Sequence, residues 1–393
     1  MHLTYTEEQE ELRRELADYF GRLMTPEVEE ELASGEGEMG RGDVYRRLVR
    51  QMGKDGWLGI GWPTEYGGQG RSMMEQLIFT DEAAKAGAPV PFLTINTVGP
   101  TIMHYGNEEQ RRQYLPGILA GEIHFSIGYS EPDAGTDLAR LKTRAVRDGD
   151  EYVVNGQKMW TSLIQYADYV WLACRTDPDA PRHKGLSVLV VPTSLPGFRW
   201  TPVPTVSGTT TSQTFYEDVH VPVANRIGPE NEGWKLITNQ LNRERVALCS
   251  SASVGHALDQ VREWAQHTKL PDGRRVIDQE WVQLNLADVH AKVEFLKLIN
   301  WKIAWGVDKG VSPADASATK VFGTEFYTEA YRKLMECFGP EAYVQRGSPG
   351  AKLKGRIERV YRGTLILTFG GGTNEIQRDI ISMVGLGMQR APR

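Results

Sequence analysis

The stretch EYVVNGQKMWTS, residues 151–162, decides the fold class, because it is rich in β-branched and aromatic residues and an Asn-Gly pair interrupts it. Similar runs lie nearby, separated by glycine- and proline-containing turns: YADYVWLACRT at 166–176, GLSVLVVPT at 185–193 and FYEDVHVPV at 215–223. Short runs with such punctuation are typical of hairpin-connected strands. We therefore predict an antiparallel β domain over about residues 125–235.

The segments on both sides of this β region show helical periodicity. Residues 6–20, TEEQEELRRELADYF, begin with a capping threonine and an acidic first turn and carry apolar residues at helical spacing: Leu12, Leu16, Tyr19 and Phe20. The helical period returns at Gly233, where we predict a run to about Leu270, followed by helices at about 278–307 and 313–338. The element order is therefore α, β, α, an α+β fold with its cores packed against one another.

The composition is that of an ordinary globular protein. The 393 residues are 40% hydrophobic and 24% charged, and the formal net charge of −6 gives no reason to expect nucleic-acid binding. The first residues, MHLTYTEEQEELRREL, contain no apolar segment of the secretory type, and no apolar run reaches the roughly 18 residues of a membrane span. We therefore expect a cytoplasmic protein without a membrane span.

The cysteines and histidines do not form a metal-binding pattern. Cys174, Cys249 and Cys337 are far apart, which favours reduced thiols in the core over a disulfide framework. The eight histidines show no HExxH or comparable ligand spacing, so we expect no metal site. Demanding chemistry would then need an organic cofactor or a serine or cysteine nucleophile.

Two polar segments of the β region are candidates for a ligand site. The loop SIGYSEPDAGTDLARLKT, residues 126–143, offers hydroxyls and free amides that suit a ligand rich in heteroatoms, although it could also satisfy only itself. Trp160, followed by Thr161 and Ser162, offers an aromatic face beside two hydroxyls that suits a planar heterocycle. A tryptophan of the hydrophobic core remains the alternative.

A third candidate is FGGGTNEIQRD, residues 369–379, where three glycines precede a predicted helix start. It is neither a Walker loop, since no Gly-Lys-Ser/Thr follows, nor a dinucleotide fingerprint of the Rossmann type. The glycines are explained equally well by a tight turn or by backbone amides that bind an anionic or carbonyl group.

The segment WKLITNQLNRERVALCSSASVGHAL, residues 234–258, places a carboxylate on an apolar face. On a helical wheel Glu244 falls within the stripe formed by Ile237, Leu241, Leu248 and Ala252, and Ser251 and Gly255 continue that face with small side chains. A buried carboxylate is costly unless it pairs with a cation or serves as a general base with a raised pKa. The residues alone leave both roles open.

Four segments together make the chain resemble the acyl-CoA dehydrogenase family over almost its whole length: SEPDAGTDL, NGQKMWTS, FYEDVHVP and GGTNEIQRDIISMVG. The resemblance implies an N-terminal helical domain, a middle β domain and a C-terminal four-helix domain. On this sequence they would cover residues 1–124, 125–235 and 236–393. It also implies FAD between the middle and C-terminal domains, and the α,β-dehydrogenation of an acyl-CoA thioester with an electron-transfer flavoprotein as acceptor.

The resemblance assigns roles to individual positions. The implied FAD contacts are Ile127, Tyr129, Ser130, Gly135, Thr136, Trp160, Thr161, Ser162, Thr373 and Glu375, and the implied acyl-CoA contacts are Thr136, Asn242, Arg245 and Gly372. The three glycines and Thr373, residues 370–373, form what we call the glycine turn. Many members carry the catalytic glutamate immediately before the Gly-Thr of this turn, where this chain has Gly371. A minority, similar to the isovaleryl and long-chain enzymes, uses a glutamate that precedes an arginine on the first long C-terminal helix. Glu244, before Arg245, matches that position and is the expected base.

Two departures from the family pattern concern the neighbouring subunit's FAD. Homo-oligomeric members hold the ADP end with an Arg-x-x-Phe and a Gln-x-x-Gly-Gly stretch, but this chain reads AQHTKLPDGRRVIDQ and ECFGPEAY, with Glu336 and Pro340 at two key places. This resembles the actinobacterial steroid side-chain acyl-CoA dehydrogenases, which are α2β2 heterotetramers of two related subunits. The alternatives are a homo-oligomeric fatty or branched-chain enzyme, a flavin oxidase or monooxygenase on the same scaffold, and a non-catalytic partner subunit.

Overall fold

The structure, a computed structural model, describes residues 3–34, 42–208, 210–247, 249–306 and 311–389, apart from the side chains at 33, 34, 42 and 241–247. Within these ranges helices come first, an eight-stranded sheet follows, and further helices complete the fold. This order confirms the predicted α+β fold class.

The N-terminal part is helical, as predicted. Its α-helices within the described ranges are α1 (Glu7–Leu23), α2 (Pro26–Ser34), α3 (Gly42–Lys54), α4 (Met73–Ala86), α5 (Gly99–Tyr105) and α6 (Glu108–Leu119). Thr6 caps α1, because its Oγ1 accepts the Gln9 N–H at 3.2 Å while the Gln9 side chain accepts the Thr6 N–H at 3.1 Å. Leu12, Leu16 and Phe20 are buried, which confirms the predicted inner face.

The central sheet is mostly antiparallel, as predicted, but it also contains two parallel pairings that the prediction of an antiparallel domain did not include. Its strands are β1 (Phe125–Gly128), β2 (Arg144–Asp148), β3 (Glu151–Lys158), β4 (Tyr169–Arg175), β5 (Leu186–Pro192), β6 (Phe198–Pro204), β7 (Thr210–Pro222) and β8 (Arg226–Ile227). Most neighbours are antiparallel, but β1 and β2 both pair with β4 in parallel. The cause is the crossover connection: the chain passes through β2 and β3 before β4 returns to lie beside β1.

The two faces of the sheet bury different cores. Along β4, Trp171 and Ala173 join the core shared with the N-terminal helices, while Val170, Leu172 and Cys174 face residues of β3 and β7. The second core contains residues from both halves of the sheet, so the sheet curves until those halves pack on each other. This curvature brings the end of β3 back toward the loop after β1.

The C-terminal part is again helical. Its α-helices within the described ranges are α7 (Gly233–Ala247), α8 (Ser251–His267), α9 (Glu280–Gly306), α10 (Pro313–Glu336), α11 (Arg356–Thr364) and α12 (Asn374–Ile380). The helices predicted at about 278–307 and 313–338 are confirmed by α9 and α10. A separate core of apolar residues from α8, α9 and α10 holds this part together.

The predicted single helical run from Gly233 to about Leu270 is wrong. The helix α7 ends at Ala247, and Ser250 has an extended backbone and caps α8 by accepting the Ala252 N–H on its Oγ at 3.1 Å. Serine competes with helical continuation in this way because its hydroxyl satisfies a backbone donor at a helix start. Consequently Ser251, Ala252 and Gly255 do not extend the apolar face of α7, and Leu248 lies outside the described residues.

The three cysteines are buried free thiols, as predicted, and burial raises the pKa of each to about 12. In the described ranges, no helix has both the length and the apolar character that crossing a bilayer requires.

Candidate active site

The loop after β1 and the segment after β3 lie side by side. The Met159 N–H donates to the Ser130 carbonyl at 2.8 Å, and the Ser126 hydroxyl donates to the Ser162 carbonyl at 2.8 Å. The strand β3 ends at Lys158, so the predicted site residues Trp160 to Ser162 follow the strand instead of forming part of it. The structure therefore brings together the two polar segments that the sequence singles out in the β region.

A buried ion pair closes the loop after β1. Lys158 is fully buried, and its Nζ donates to the Tyr129 carbonyl and to Glu131 Oε1, both at 2.9 Å. The same carboxylate accepts the N–H groups of Lys142 at 2.6 Å and Thr143 at 2.8 Å. One carboxylate therefore joins the two ends of the loop 131–143.

The charges of this pair stabilise each other. Burial alone would raise the pKa of the Glu131 carboxyl, but the Lys158 ammonium group and the hydrogen bonds from residues 142 and 143 hold that pKa below its ordinary value. Burial lowers the pKa of Lys158, and Glu131 opposes that shift. Glu131 is therefore an anchor that works in its ionised form.

The tip of the same loop is open. Gly135 and Thr136 are exposed, and a Cβ placed on Gly135 would meet no heavy atom within 4 Å. The loop thus has a fixed base and an accessible tip, an arrangement that suits a ligand lying across it.

Trp160 belongs to the surface, so its alternative assignment to the hydrophobic core is wrong. Its side chain is 55% exposed, and its backbone has a φ of +66°, a left-handed conformation that is uncommon for residues other than glycine. The neighbouring Thr161 is buried, with its N–H donating to the Ser212 carbonyl at 2.9 Å and its hydroxyl 3.3 Å from that of Thr214. A large exposed aromatic ring on a firmly held segment is a good platform for a planar group.

The loop after β1 also contacts helix α7. The Tyr129 side chain is buried, its hydroxyl donates to Gln240 Oε1 on α7, and it accepts the Trp171 indole N–H at 3.0 Å. Ile127 lies in β1 opposite Trp171. The β region and the first C-terminal helix therefore meet at Tyr129 and Gln240.

The glycine turn is held by a second buried lysine. Lys320 of α10 is fully buried, and its Nζ donates to the Gly372 carbonyl at 2.8 Å and to Asn374 Oδ1 at 2.7 Å. Gly371 and Gly372 have left-handed backbones, with φ of +68° and +99°. Thr373 caps α12, since its Oγ1 accepts the Ile376 N–H at 3.3 Å, and Glu375 is exposed in the first turn.

The break between α7 and α8 lies against the same part of α10. Tyr327 donates its hydroxyl hydrogen to the Ser250 carbonyl. Gly323 leaves room for Cys249, because a Cβ on this glycine would lie only 2.5 Å from the Cys249 Cβ. Asn300 of α9 also binds this break, donating to the Cys249 carbonyl at 3.1 Å. The end of α7 and the glycine turn therefore flank the same turns of α10, from Lys320 to Tyr327.

Comparisons with known proteins match this arrangement along the whole chain. Family models described as the acyl-CoA dehydrogenase N-terminal, middle and C-terminal domains match residues 6–122, 126–219 and 231–386. Over the full length of both proteins, the chain is 67% identical to "Acyl-CoA dehydrogenase FadE26" of Mycobacterium tuberculosis. The chain belongs to the acyl-CoA dehydrogenase family. Membership makes it an oxidoreductase that acts on CH–CH groups, from a family that is generally FAD-dependent.

Two solved structures whose names each give two components have the same fold as this chain. A chain of the "ChsE4-ChsE5 complex from Mycobacterium tuberculosis" superposes with a TM-score of 0.93 at 67% identity, and a chain of the "Tcur3481-Tcur3483 steroid ACAD" with 0.92 at 48%. Both similarities cover 100% of each chain. This acyl-CoA dehydrogenase is therefore similar, in sequence and in fold, to one protein of a complex of two.

Three of the predicted site residues of this acyl-CoA dehydrogenase have side chains outside the described residues. They are the expected base Glu244 and the expected substrate contacts Asn242 and Arg245, whose backbone belongs to α7. Their roles stay predictions.

The two regions that depart from the family pattern are engaged with their own chain. Glu336 is exposed and accepts from Arg332 at 2.6 Å and from Asn285 at 3.1 Å, and Pro340 is exposed after it. Arg274 and Arg275 each form an ion pair with a nearby aspartate at 2.7 Å. Neither region resembles a prepared anion site.

Sequence reasoning missed the residues that hold the site together: Glu131, Lys158, Gln240 and Lys320. A signal existed for Lys158, which falls on the inward side of β3 in step with Tyr152 and Val154. Lys320 likewise shares the inner face of α10 with Ser317 and Thr324. A lysine at an inward position is rare enough to indicate a buried partner, just as a glutamate on the apolar face of a helix does.

Proposed function

We propose that this acyl-CoA dehydrogenase catalyses the FAD-dependent α,β-dehydrogenation of an acyl-CoA thioester, as the base-carrying subunit of a complex with a related subunit. One observation carries the proposal. The loop after β1 contacts the segment after β3 and helix α7 directly, and α10 holds the glycine turn and also contacts the break that follows α7, in a chain that matches the family along its length.

The residues of the predicted cofactor site fit a flavin. The exposed ring of Trp160 offers a platform, the open tip at Gly135 and Thr136 admits a bulky group, and the glycine turn offers backbone amides. Ile127, Tyr129, Ser130, Thr161, Ser162, Thr373 and Glu375 complete the proposed FAD contacts. FAD, when bound, supplies the acceptor for the hydrogen that leaves the β-carbon as hydride.

Glu244 is the proposed base that removes the α-proton. Position 244 follows Gln240 by four residues on α7, and residues four apart lie on one face of a helix, so the face that meets Tyr129 includes this position. The usual alternative position, Gly371, has a left-handed backbone that disfavours any residue with a side chain. A backbone amide beside the bound thioester would polarise its carbonyl and make the α-proton acidic. Thr136, Asn242, Arg245 and Gly372 are the proposed substrate contacts.

The proposed partner is a related acyl-CoA dehydrogenase-like subunit in an α2β2 heterotetramer. The support is the state of the ADP-binding regions: Glu336 would repel a pyrophosphate, and Arg274 and Arg275 are paired within the chain. The two-component names of similar solved structures agree with an unlike partner. An electron-transfer flavoprotein is the proposed acceptor, and a cytoplasmic location stays a prediction.

The proposed substrate class is the CoA thioester of a steroid side chain or another bulky, branched acid. The support is one similar solved structure, the "Tcur3481-Tcur3483 steroid ACAD", at 48% identity over the whole chain.

The test of the reaction uses the chain co-expressed with a related subunit and measures flavin content and bleaching of the flavin by acyl-CoA. Replacing the base, Glu244→Gln, should keep flavin and lower turnover by about 10²- to 10⁴-fold. The control Glu263→Gln changes an exposed carboxylate on α8 and should leave turnover unchanged. Full activity of Glu244→Gln would exclude this residue as the base.

The test of the substrate and partner compares acyl groups and subunits. A steroid side-chain CoA thioester should bleach the flavin faster than a straight-chain fatty acyl-CoA or isovaleryl-CoA. Full FAD occupancy in the chain purified alone would contradict the unlike partner, and rapid reoxidation of the reduced flavin by oxygen would favour an oxidase.

A further inference from the structure

Two fully buried lysines bind backbone carbonyls in the two segments that the proposed flavin site requires. Lys158 donates to the Tyr129 carbonyl at 2.9 Å, and Lys320 donates to the Gly372 carbonyl at 2.8 Å. These lysines come from different elements, β3 and α10, and belong to different parts of the fold. The same chemical contact therefore occurs independently on two sides of one site.

The direction of each contact fixes the direction of the next amide. A trans peptide unit is planar, and its C=O and N–H point in opposite directions. A carbonyl held against a buried ammonium group therefore aims the following N–H away from that group. For Tyr129 the following N–H belongs to Ser130, and for Gly372 it belongs to Thr373.

Stability alone does not explain a lysine at these positions. Burying an ammonium group is expensive, and a buried ion pair is often no better than apolar residues of the same volume. A backbone carbonyl, however, cannot be replaced by mutation, and a buried one needs a donor. A lysine supplies that donor from a distance and at the same time fixes which way the peptide faces.

We infer that Lys158 and Lys320 are positioning residues of the flavin site, each holding one carbonyl toward the protein so that the amides of Ser130 and Thr373 face the cofactor. This inference rests on the proposed function. It assigns no chemical step to either lysine. It predicts that the backbone amides are correctly oriented before FAD arrives, which is how a preorganised polar site avoids reorganisation on binding.

The experiment uses two variants of the full-length chain with matched controls. Lys320→Met removes one ammonium group. Lys158→Met is combined with Glu131→Gln, so that no unpaired carboxylate is left buried and the protein can fold. The controls are Lys302→Met and Lys184→Met, which change exposed lysines on α9 and in the loop before β5.

Hydrogen exchange without added FAD reports the local effect. Lys320→Met should increase exchange in the backbone of residues 371–376 and leave residues 129–143 as in the wild type, and the double variant should do the reverse. Equal acceleration throughout the chain would indicate general destabilisation and would overturn the positioning role.

FAD titration of each variant, co-expressed with the related subunit, reports the effect on the cofactor. Each variant should bind FAD about tenfold more weakly or worse, the range expected for losing a charge-assisted contact, with a shifted visible flavin spectrum and a lower reduction potential. Binding and spectrum equal to the wild type would overturn the inference and leave the proposed function intact. A wild-type chain that takes up no FAD, alone or with the related subunit, would overturn both.

Discussion

The loop after β1 and the glycine turn before α12 solve one structural problem in two ways. Both are backbone-rich segments that must be firm without being covered, and each is held from beneath by a fully buried lysine. In the loop, Lys158 is paired with the ionised carboxylate of Glu131. In the turn, Lys320 donates to a carbonyl and an amide oxygen, both neutral.

The two segments are therefore vulnerable to different changes. The loop depends on a charge that becomes harmful when its partner is removed, because an isolated carboxylate is poorly solvated in the core. The turn depends on an ammonium group that donates to two neutral oxygens. Losing these hydrogen bonds is costly, but neither of the two oxygens is left as an unpaired charge. A third anchor, with a third chemistry, lies at the break between α7 and α8. There the buried carboxyl group of Asp81 accepts a hydrogen bond from the Ser250 hydroxyl.

The largest effect is expected for Lys158→Met as a single change. It leaves Glu131 ionised and buried without its ammonium partner, so the free energy of unfolding should fall by about 3–5 kcal/mol. Urea unfolding at neutral pH measures this loss, and adding Glu131→Gln should restore part of it. A single-variant loss below about 1 kcal/mol, close to that of a surface lysine, would mean that the ion pair does not secure the loop.

A smaller loss is expected for Lys320→Met. The Gly372 carbonyl and the Asn374 amide oxygen would lose charge-assisted donors, which corresponds to about 1.5–3 kcal/mol. The same urea unfolding series measures it, with Lys302→Met as the surface control. If Lys320→Met proved more damaging than Lys158→Met, the contrast between the charged and the neutral anchor would be wrong.

The third anchor gives a pH-dependent prediction. Asp81 of α4 is buried, and its Oδ1 accepts the Ser250 hydroxyl at 2.6 Å. Burial raises the pKa of Asp81 to about 6, and the Glu82 carboxylate adds to the rise. The Ser250 hydrogen bond and the positive charges of Lys85 and Lys297 lower the pKa, but they do not cancel the rise. Because the folded pKa is raised, this carboxyl favours folding below pH 3.8, and that contribution is lost as the pH rises through about 6.

The variant Asp81→Asn keeps an acceptor for Ser250 but cannot ionise. Its stability relative to the wild type should therefore improve by about 1–2 kcal/mol between pH 5 and pH 8. Thermal or urea unfolding at both pH values measures the change, with Asp18→Asn on the exposed face of α1 as the control. A difference that does not vary with pH would mean that Asp81 does not titrate in this range.

The smallest effect is expected at the glycine turn itself. Gly371→Ala places a side chain on a left-handed backbone and should cost about 1 kcal/mol. Gly363→Ala, inside α11 with open space around it, should instead raise the free energy of unfolding by about 0.5–1 kcal/mol. Opposite signs for the two alanines would support the need for glycine at position 371, whereas equal gains would show that the turn tolerates a side chain.

Much of the fold was predictable because its signals are local. Each signal can be recognised within a few residues. Examples are the capping threonine and apolar spacing of α1, the β-branched runs of the sheet and the periodic segments of α9 and α10. The prediction failed where two local signals compete. The pair Ser250 and Ser251 interrupts a helical pattern, and the capping hydroxyl of Ser250 prevails over the continuing periodicity.

The candidate site was predictable as a set of segments but not as an assembly. The polar loop, the tryptophan segment and the glycine turn were each identifiable from their residue types. Their anchors were only partly predictable, because the inward positions of Lys158 and Lys320 indicate that each lysine has a buried partner but not which distant group that partner is. Trp160 shows the same limit, since its exposure depends on where β3 ends and how the chain turns afterwards.

Residue types close together along the chain are enough to predict the helical and strand periods, the order α, β, α and the family. Which distant groups meet depends on the tertiary structure. It brings together Lys320 and Gly372, 52 residues apart, Tyr129 and Gln240, 111 apart, and Asp81 and Ser250, 169 apart. Those contacts arise from the curvature of the sheet and the packing of helices. No local propensity encodes these contacts, because each forms only when two elements distant in the sequence pack together.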